Sequence, residues 1–173
     1  MKIRENIVIR RFVRMEGKLA SYIHNGGSIG VLVKMDTELD ADAVAAIGKD
    51  VAMQSAALNA PYLCRADVPA EVVEKEKEIM LAQMAEDPKM ASKPEKVKEG
   101  IINGKINKYY SENCLLEQSF VKDDKLSVQG YVDAEAKNLG GTIAVTDVVR
   151  YERGEGVEKK EDNLADEVAK MIK

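Results

Sequence analysis

Nonpolar and charged residues alternate along the start of the chain in a pattern typical of β-strands. In the segment Ile7 to Met15, nonpolar residues recur at every second position, although Arg11 interrupts the stripe. The same alternation is present from Leu19 to His24 and from Ile29 to Met35. Between these two segments, Asn25-Gly26-Gly27 supplies residues that tolerate the positive φ angles of a tight hairpin. We therefore predict a meander of three antiparallel strands.

Helical spacing replaces the strand pattern after the third predicted strand. Nonpolar residues recur every three or four positions as far as Leu58, and Thr37 with Asp40 resembles a capping box before this stretch. Pro61 prevents the helix from continuing, because proline lacks the N–H that a helix interior requires. We predict that this helix covers one face of the sheet.

Two further helical stretches fill the middle of the chain. Pro69 is well placed as the first residue of a helix that continues through Met84, and a second helix follows Pro94 and ends near Tyr109. Because two helices alone shield only one shared face, we predict a helical hairpin over residues 68–112 that protrudes from the main body. A hairpin that folds back on the main body is the alternative, and the pattern leaves it open.

The last third of the chain returns to a helix, a strand and a final helix. Ser127 can cap a short helix that Gly140-Gly141 ends, and nonpolar residues alternate again from Thr142 to Tyr151. This strand would be the fourth of the sheet, and Asp147 on its nonpolar face places it near an edge. Beyond Gly156 the spacing predicts an amphipathic helix, whose nonpolar face consists of Leu164, Val168, Met171 and Ile172.

These elements together predict an α+β fold, in which helices cover an antiparallel sheet of three to four strands. The core domain would comprise residues 1–67 and 113–156. The helical hairpin of residues 68–112 would be inserted into it, and residues 157–173 would form a C-terminal helical module.

Composition and charge exclude several classes of function. Nonpolar residues make up 45% of the chain, but no run of about 20 of them is present, so we expect no membrane insertion. The first residues lack the pattern of a signal peptide, and Cys64 and Cys114 lack the spacing of a zinc site or disulfide framework, so we expect a cytoplasmic protein. The net charge of -4 disfavours direct nucleic-acid binding.

Candidate catalytic chemistry is sparse. His24 is the only histidine, which excludes metal sites built from several imidazoles, and no serine or cysteine motif accompanies it. The glycines from Gly26 to Gly30 precede a predicted strand and not a helix, so they do not form a phosphate-binding loop. We expect no enzyme activity, no metal and no cofactor. His24 lies beside an exposed hairpin tip, where it is either a contact residue for a partner or an exposed bystander.

Four segments of the chain carry a more specific signal. They are RRFVRMEGKLASYIHNGG at residues 10–27, VPAEVVEKEKEI at 68–79, CLLEQSFVKD at 114–123 and RYERGEGVEKKEDNLADEVA at 150–169. Each resembles a segment of the elongation factor Ts family, and all four occur in the order and approximate spacing of that family. The resemblance covers almost the whole chain.

The resemblance implies both a fold and a set of contacts. The sheet and its covering helices are similar to the C-terminal half of the family's core, and the hairpin is similar to its protruding coiled coil. The implied contacts with elongation factor Tu are His24, Asn25, Gly26, Gly27 at the tip and Leu164, Val168, Met171 in the terminal helix. The implied self-association residues of the hairpin are Val72, Val73, Ile79, Met80, Val97 and Ile101.

The resemblance also implies what the chain does. Members of the family bind elongation factor Tu and promote release of its GDP, as guanine nucleotide exchange factors in protein biosynthesis. They normally begin with a small ubiquitin-associated-like domain and a first core half that bears a Thr-Asp-Phe wedge, and we expect both to be missing here. A structural module that dimerises through the hairpin, with incidental contact to elongation factor Tu, is the alternative function.

Overall fold

The computed structural model describes residues 9–157 of the 173-residue chain. It confirms an α+β fold with antiparallel strands. Strands β1 (Lys18–His24) and β2 (Ile29–Asp36) form the predicted hairpin, with Lys18 opposite Met35 and His24 opposite Ile29. The turn between them, Asn25–Gly27, has positive φ at all three residues, as the sequence predicts.

Helix α1 (Ala41–Ala57) covers one face of this hairpin, as predicted. The predicted capping box is wrong, however. Asp40 is the N-terminal cap residue but its side chain makes no capping hydrogen bond, and the Thr37 hydroxyl instead accepts a hydrogen bond from the backbone N–H of Leu39 at 3.1 Å. The Thr37 hydroxyl therefore stabilises a local turn before the helix and does not cap the helix.

Two helices and one short helix follow in the middle of the chain. Helix α2 (Ala70–Glu86) and helix α4 (Glu95–Asn113) are joined by α3 (Pro88–Ala91), close to the predicted bounds. We call α2 and α4 the helical pair. Met84, Ile102 and Ile106 are its buried residues, and this cluster is separate from the larger core of the sheet.

The remaining elements complete the sheet and add a second, smaller one. Strands β3 (Ser119–Phe120) and β4 (Asp123–Ser127) form a two-stranded sheet. Helix α5 (Val128–Asn138) begins at Ser127, whose hydroxyl accepts a hydrogen bond from the Gly130 N–H, as predicted. Strand β5 (Ala144–Glu152) pairs antiparallel with β2, so the main sheet has the order β1-β2-β5 and β5 is an edge strand.

The predicted strand over Ile7–Met15 is wrong for the residues that the structure describes, since residues 9–15 form no strand. Within residues 9–157 the main sheet therefore has three strands, the lower of the predicted three to four. The alternation there reflects no buried face, because Ile9 and Phe12 are both exposed. Two of the three arginines of this segment instead bind the turn after β5, where Arg10 donates to the Glu155 and Gly156 carbonyls and Arg11 to the Glu155 carboxylate.

We call β1, β2, β5, α1 and α5 the sheet body. Its core combines residues of the sheet, such as Val31 and Val33, with residues of α1 and α5, such as Val51 and Val132. The contact of α1 with the sheet is especially close at Gly48, where an added Cβ would lie 2.5 Å from the Ala20 Cβ and 2.5 Å from the Met35 Cε. Only glycine allows the helix and the sheet to approach this closely.

Candidate partner-binding site at the hairpin tip

The predicted tip residues are brought together by the β1–β2 hairpin. His24 is the last residue of β1, and the three turn residues Asn25–Gly27 follow it directly. All four are exposed. An added Cβ at Gly26 or Gly27 would meet no atom within 4 Å, so these glycines are required by their positive φ and not by crowding. The tip is therefore open for contact with another molecule.

Hydrogen bonds fix the backbone of the tip. The His24 carbonyl accepts from the Ser28 N–H at 3.0 Å and from the Ser28 hydroxyl at 3.2 Å. The Ser28 carbonyl in turn accepts from the Arg153 N–H at 2.8 Å, which ties the tip to the end of β5. A loop held in this way on a sheet is suited to recognition, because little ordering entropy is lost when a partner binds.

The His24 side chain is also held in place. Because β-strand side chains alternate, His24 and Tyr22 lie on the same face of β1. The Tyr22 hydroxyl and the His24 Nδ1 are 3.1 Å apart, and the two ring centroids are 5.9 Å apart. Tyr22 is half-buried and packs against the core of the sheet body. The imidazole is thus linked to the rigid part of the molecule.

Ile23 is a further tip residue that the sequence analysis did not single out. It lies on the opposite face of β1 from Tyr22 and is 65% exposed. An exposed isoleucine at the end of an ordered strand is a candidate for a nonpolar contact with a partner. The alternation in the sequence could have indicated this residue, since Ile23 is offset by one position from Ala20 and Tyr22, which β1 turns toward the core. We call Ile23, His24 and Asn25–Gly27 the tip surface.

The six predicted self-association residues do not share one environment. Val73, Met80 and Ile101 pack against the buried cluster of the helical pair itself, so the pair already uses much of their surface. Val72 is half-buried. Ile79 and Val97 remain 41% and 43% exposed, respectively. The predicted contacts of the terminal helix, Leu164, Val168 and Met171, lie outside the described residues.

A cleft of about 460 Å³ lies away from the tip, between β5 and the segment that follows α1. It is lined by polar groups that include Ser55, Tyr62 and Arg150, but His24 is not among the lining residues. Nearby, burial raises the pKa of the Cys114 thiol to about 11, which disfavours the thiolate that nucleophilic chemistry requires. Within residues 9–157, no group of three or more His, Cys, Asp or Glu side chains is placed to hold a metal ion.

The base of the helical pair is anchored by one arginine. The Arg65 Nε donates to the Glu117 carboxylate at 2.5 Å, and its guanidinium carbon lies 4.7 Å from the centroid of the Tyr110 ring. Arg65 also donates to the Asn107 side chain at 3.1 Å.

Among the helices that the structure describes, none is long and nonpolar enough to cross a membrane.

Comparison with known proteins agrees with the segments quoted above. A family model described as elongation factor TS matches residues 1–155. Elongation factor Ts of Clostridium kluyveri is 44% identical, and the match covers 99% of this chain and 56% of that protein. Elongation factor Ts of Clostridium botulinum Type A is 45% identical, with 99% and 55% covered. The chain thus spans about half the length of these curated relatives, and it belongs to the elongation factor Ts family.

Proposed function

We propose that this chain is a protein-binding module that docks on elongation factor Tu through the tip surface. The observation that carries the proposal is the combination of exposure and rigidity at His24 and the Asn25–Gly27 turn. Leu164, Val168 and Met171 would supply a second contact. Docking of this kind needs no bond-making chemistry, cofactor or metal, and the chain would act in the cytoplasm.

Nucleotide exchange in the family would follow from differential binding. A factor that binds nucleotide-free elongation factor Tu more tightly than the GDP-bound form must weaken GDP binding by the same ratio. The 173 residues contain no Thr-Asp-Phe segment that could disturb the nucleotide site. We therefore infer that this chain binds elongation factor Tu but accelerates GDP release little by itself.

Stopped-flow release of a fluorescent GDP analogue tests this inference, with capture of elongation factor Tu measured in parallel. The chain should be captured while the rate of GDP release stays close to the spontaneous rate. His24→Ala should reduce capture, whereas Lys137→Ala, an exposed change on α5, should not. Release at the rate given by the longer relatives would contradict the inference about exchange, and equal capture by both variants would contradict the role of the tip.

Self-association through the helical pair is the second candidate function. The observation that favours it is the exposure of Ile79, Leu81 and Val97 on helices that bury only three nonpolar residues. If these helices form a coiled coil with a second copy, light scattering should show a dimer that Ile79→Lys with Val97→Lys abolishes. Capture of elongation factor Tu should be unchanged in that variant. A monomer at all accessible concentrations would rule this candidate out.

A further inference from the structure

The two ring nitrogens of His24 differ in their contacts with the part of the chain that the structure describes. Nδ1 lies 3.1 Å from the Tyr22 hydroxyl. Among residues 9–157, no group forms a hydrogen bond with Nε2, and the residue is exposed. The carboxylate in the same row of the sheet, Glu152, is paired with Arg150 at 2.7 Å and so is not directed at the ring.

The hydrogen bond with Tyr22 determines which tautomer the ring adopts. A neutral imidazole has one N–H and one acceptor nitrogen, and a hydrogen bond to one nitrogen decides which of them carries the hydrogen. A phenol hydroxyl is a good donor, and the lone pair of an imidazole nitrogen is a better acceptor than a phenol oxygen. The stronger arrangement therefore has the Tyr22 O–H donating to Nδ1, with the ring hydrogen on Nε2.

We propose that Tyr22 is a positioning residue for partner binding, which fixes the His24 ring so that its Nε2–H faces outward as a hydrogen-bond donor. The group on the partner would be an acceptor, either a backbone carbonyl or a carboxylate oxygen. This inference rests on the proposed function, in which the tip surface docks on elongation factor Tu. It adds the chemistry of the contact and a residue that acts through His24.

The tautomer can be measured in the free protein without any partner. Because His24 is the only histidine in the chain, labelling histidine with nitrogen-15 gives one pair of ring signals that need no assignment to a residue. In the neutral form of the ring, Nε2 should resonate as the protonated nitrogen and Nδ1 as the unprotonated one. Tyr22→Phe should shift both signals toward the averaged positions of a free histidine. Hydrogen on Nδ1 in the unchanged protein would overturn the proposal.

Binding to elongation factor Tu then tests the role of the fixed ring. Tyr22→Phe keeps the packed ring and removes only the hydroxyl, and it should weaken binding about two- to tenfold. Ser28→Ala is the matched control, since it removes a hydrogen bond from the same tip but none from the imidazole. It should leave the tautomer unchanged and affect binding less. Equal affinity of Tyr22→Phe and the unchanged protein would overturn the positioning role.

Two substitutions of His24 identify the nitrogen that contacts the partner. The amide nitrogen of glutamine can occupy the place of Nε2, whereas that of asparagine lies near the place of Nδ1. His24→Gln should therefore retain more binding than His24→Asn, and adding Tyr22→Phe to His24→Gln should cause no further loss. The opposite order of the two variants would contradict an Nε2–H donor.

The tautomer that Tyr22 sets and the contact of His24 with the partner can be tested separately. If the unchanged protein binds no elongation factor Tu, the proposed function fails, and the partner-facing contact fails with it. The nitrogen-15 signals still decide whether Tyr22 fixes the tautomer. Thermal unfolding of each variant should stay close to that of the unchanged protein, which shows that binding losses do not come from unfolding.

Discussion

The sheet body and the helical pair bury nonpolar residues on different scales. The sheet body has one core to which all three strands of the main sheet and two helices contribute. In the helical pair only Met84, Ile102 and Ile106 are buried, and the surrounding nonpolar residues are partly exposed. Since stability follows the nonpolar area removed from water, the sheet body should hold its shape while the helical pair opens locally. One chain would then combine a rigid platform for the tip with a helical pair that opens more easily.

The largest expected effect comes from weakening the smaller core. Ile106→Ala should cost about 2 to 5 kcal/mol locally, because it removes one of three buried side chains. Amide hydrogen exchange should then show loss of protection throughout α2 and α4. Protection in β2 and α1 should change little. Uniform loss of protection across the whole chain would show that the two regions unfold as one unit.

The tight contact of α1 with the sheet at Gly48 leaves no room for a larger side chain. Gly48→Val should destabilise the protein by about 1 to 3 kcal/mol, because the added atoms overlap the Ala20 Cβ and the end of the Met35 side chain. Urea unfolding monitored by circular dichroism measures this change. If stability is unchanged, α1 and the sheet are not packed as closely as described.

Replacing a glycine of the helical pair should raise stability, whereas Gly48→Val should lower it. Gly100 lies within α4, and an added Cβ there would meet no atom within 4 Å. Gly100→Ala should therefore stabilise the helical pair by about 0.5 to 1 kcal/mol, since alanine loses less backbone entropy in a helix. Slower hydrogen exchange in α4 would confirm the gain. Faster exchange would contradict it.

Cys114 should make the stability of the sheet body depend on pH in the alkaline range. Burial raises the pKa of its thiol from 9.0 to about 11, so the unfolded chain releases this proton first. The contribution is fully present below about pH 9 and is lost as the pH rises through about 11. Urea midpoints in the presence of a reductant should fall over this range, and the fall should be smaller in Cys114→Ala. An identical slope in both proteins would contradict the assignment.

Local signals in the sequence predicted structure better than signals that depend on distant residues. The β1–β2 hairpin was predictable because Asn25-Gly26-Gly27 fits only a few turn geometries. Residues 9–15 of the segment predicted as a strand form none, since alternation alone does not reveal whether a neighbouring strand or a covering face exists. Arg10 and Arg11 instead bind residues about 145 positions away, as in the contact of Arg10 with Glu155.

The small β3–β4 sheet was missed for a related reason. Its strands are short, and β4 consists mostly of polar residues, so no nonpolar pattern marks it. It is held by the buried Gln54, whose amide donates to the Ser119 carbonyl and accepts from the Val121 N–H. A single glutamine in a helix does not predict such contacts. For the tip, the resemblance implied His24 as a contact residue, but no sequence pattern predicted its hydrogen bond with Tyr22.

Calorimetry with nucleotide-free elongation factor Tu tests the central claim most directly. The chain should bind with a dissociation constant on the order of micromolar or tighter, and His24→Ala should weaken binding by about tenfold or more. Gly100→Ala, which changes only the helical pair, should bind with unchanged affinity. Absence of any binding heat at high micromolar concentration, or equal affinity of His24→Ala, would contradict docking through the tip surface.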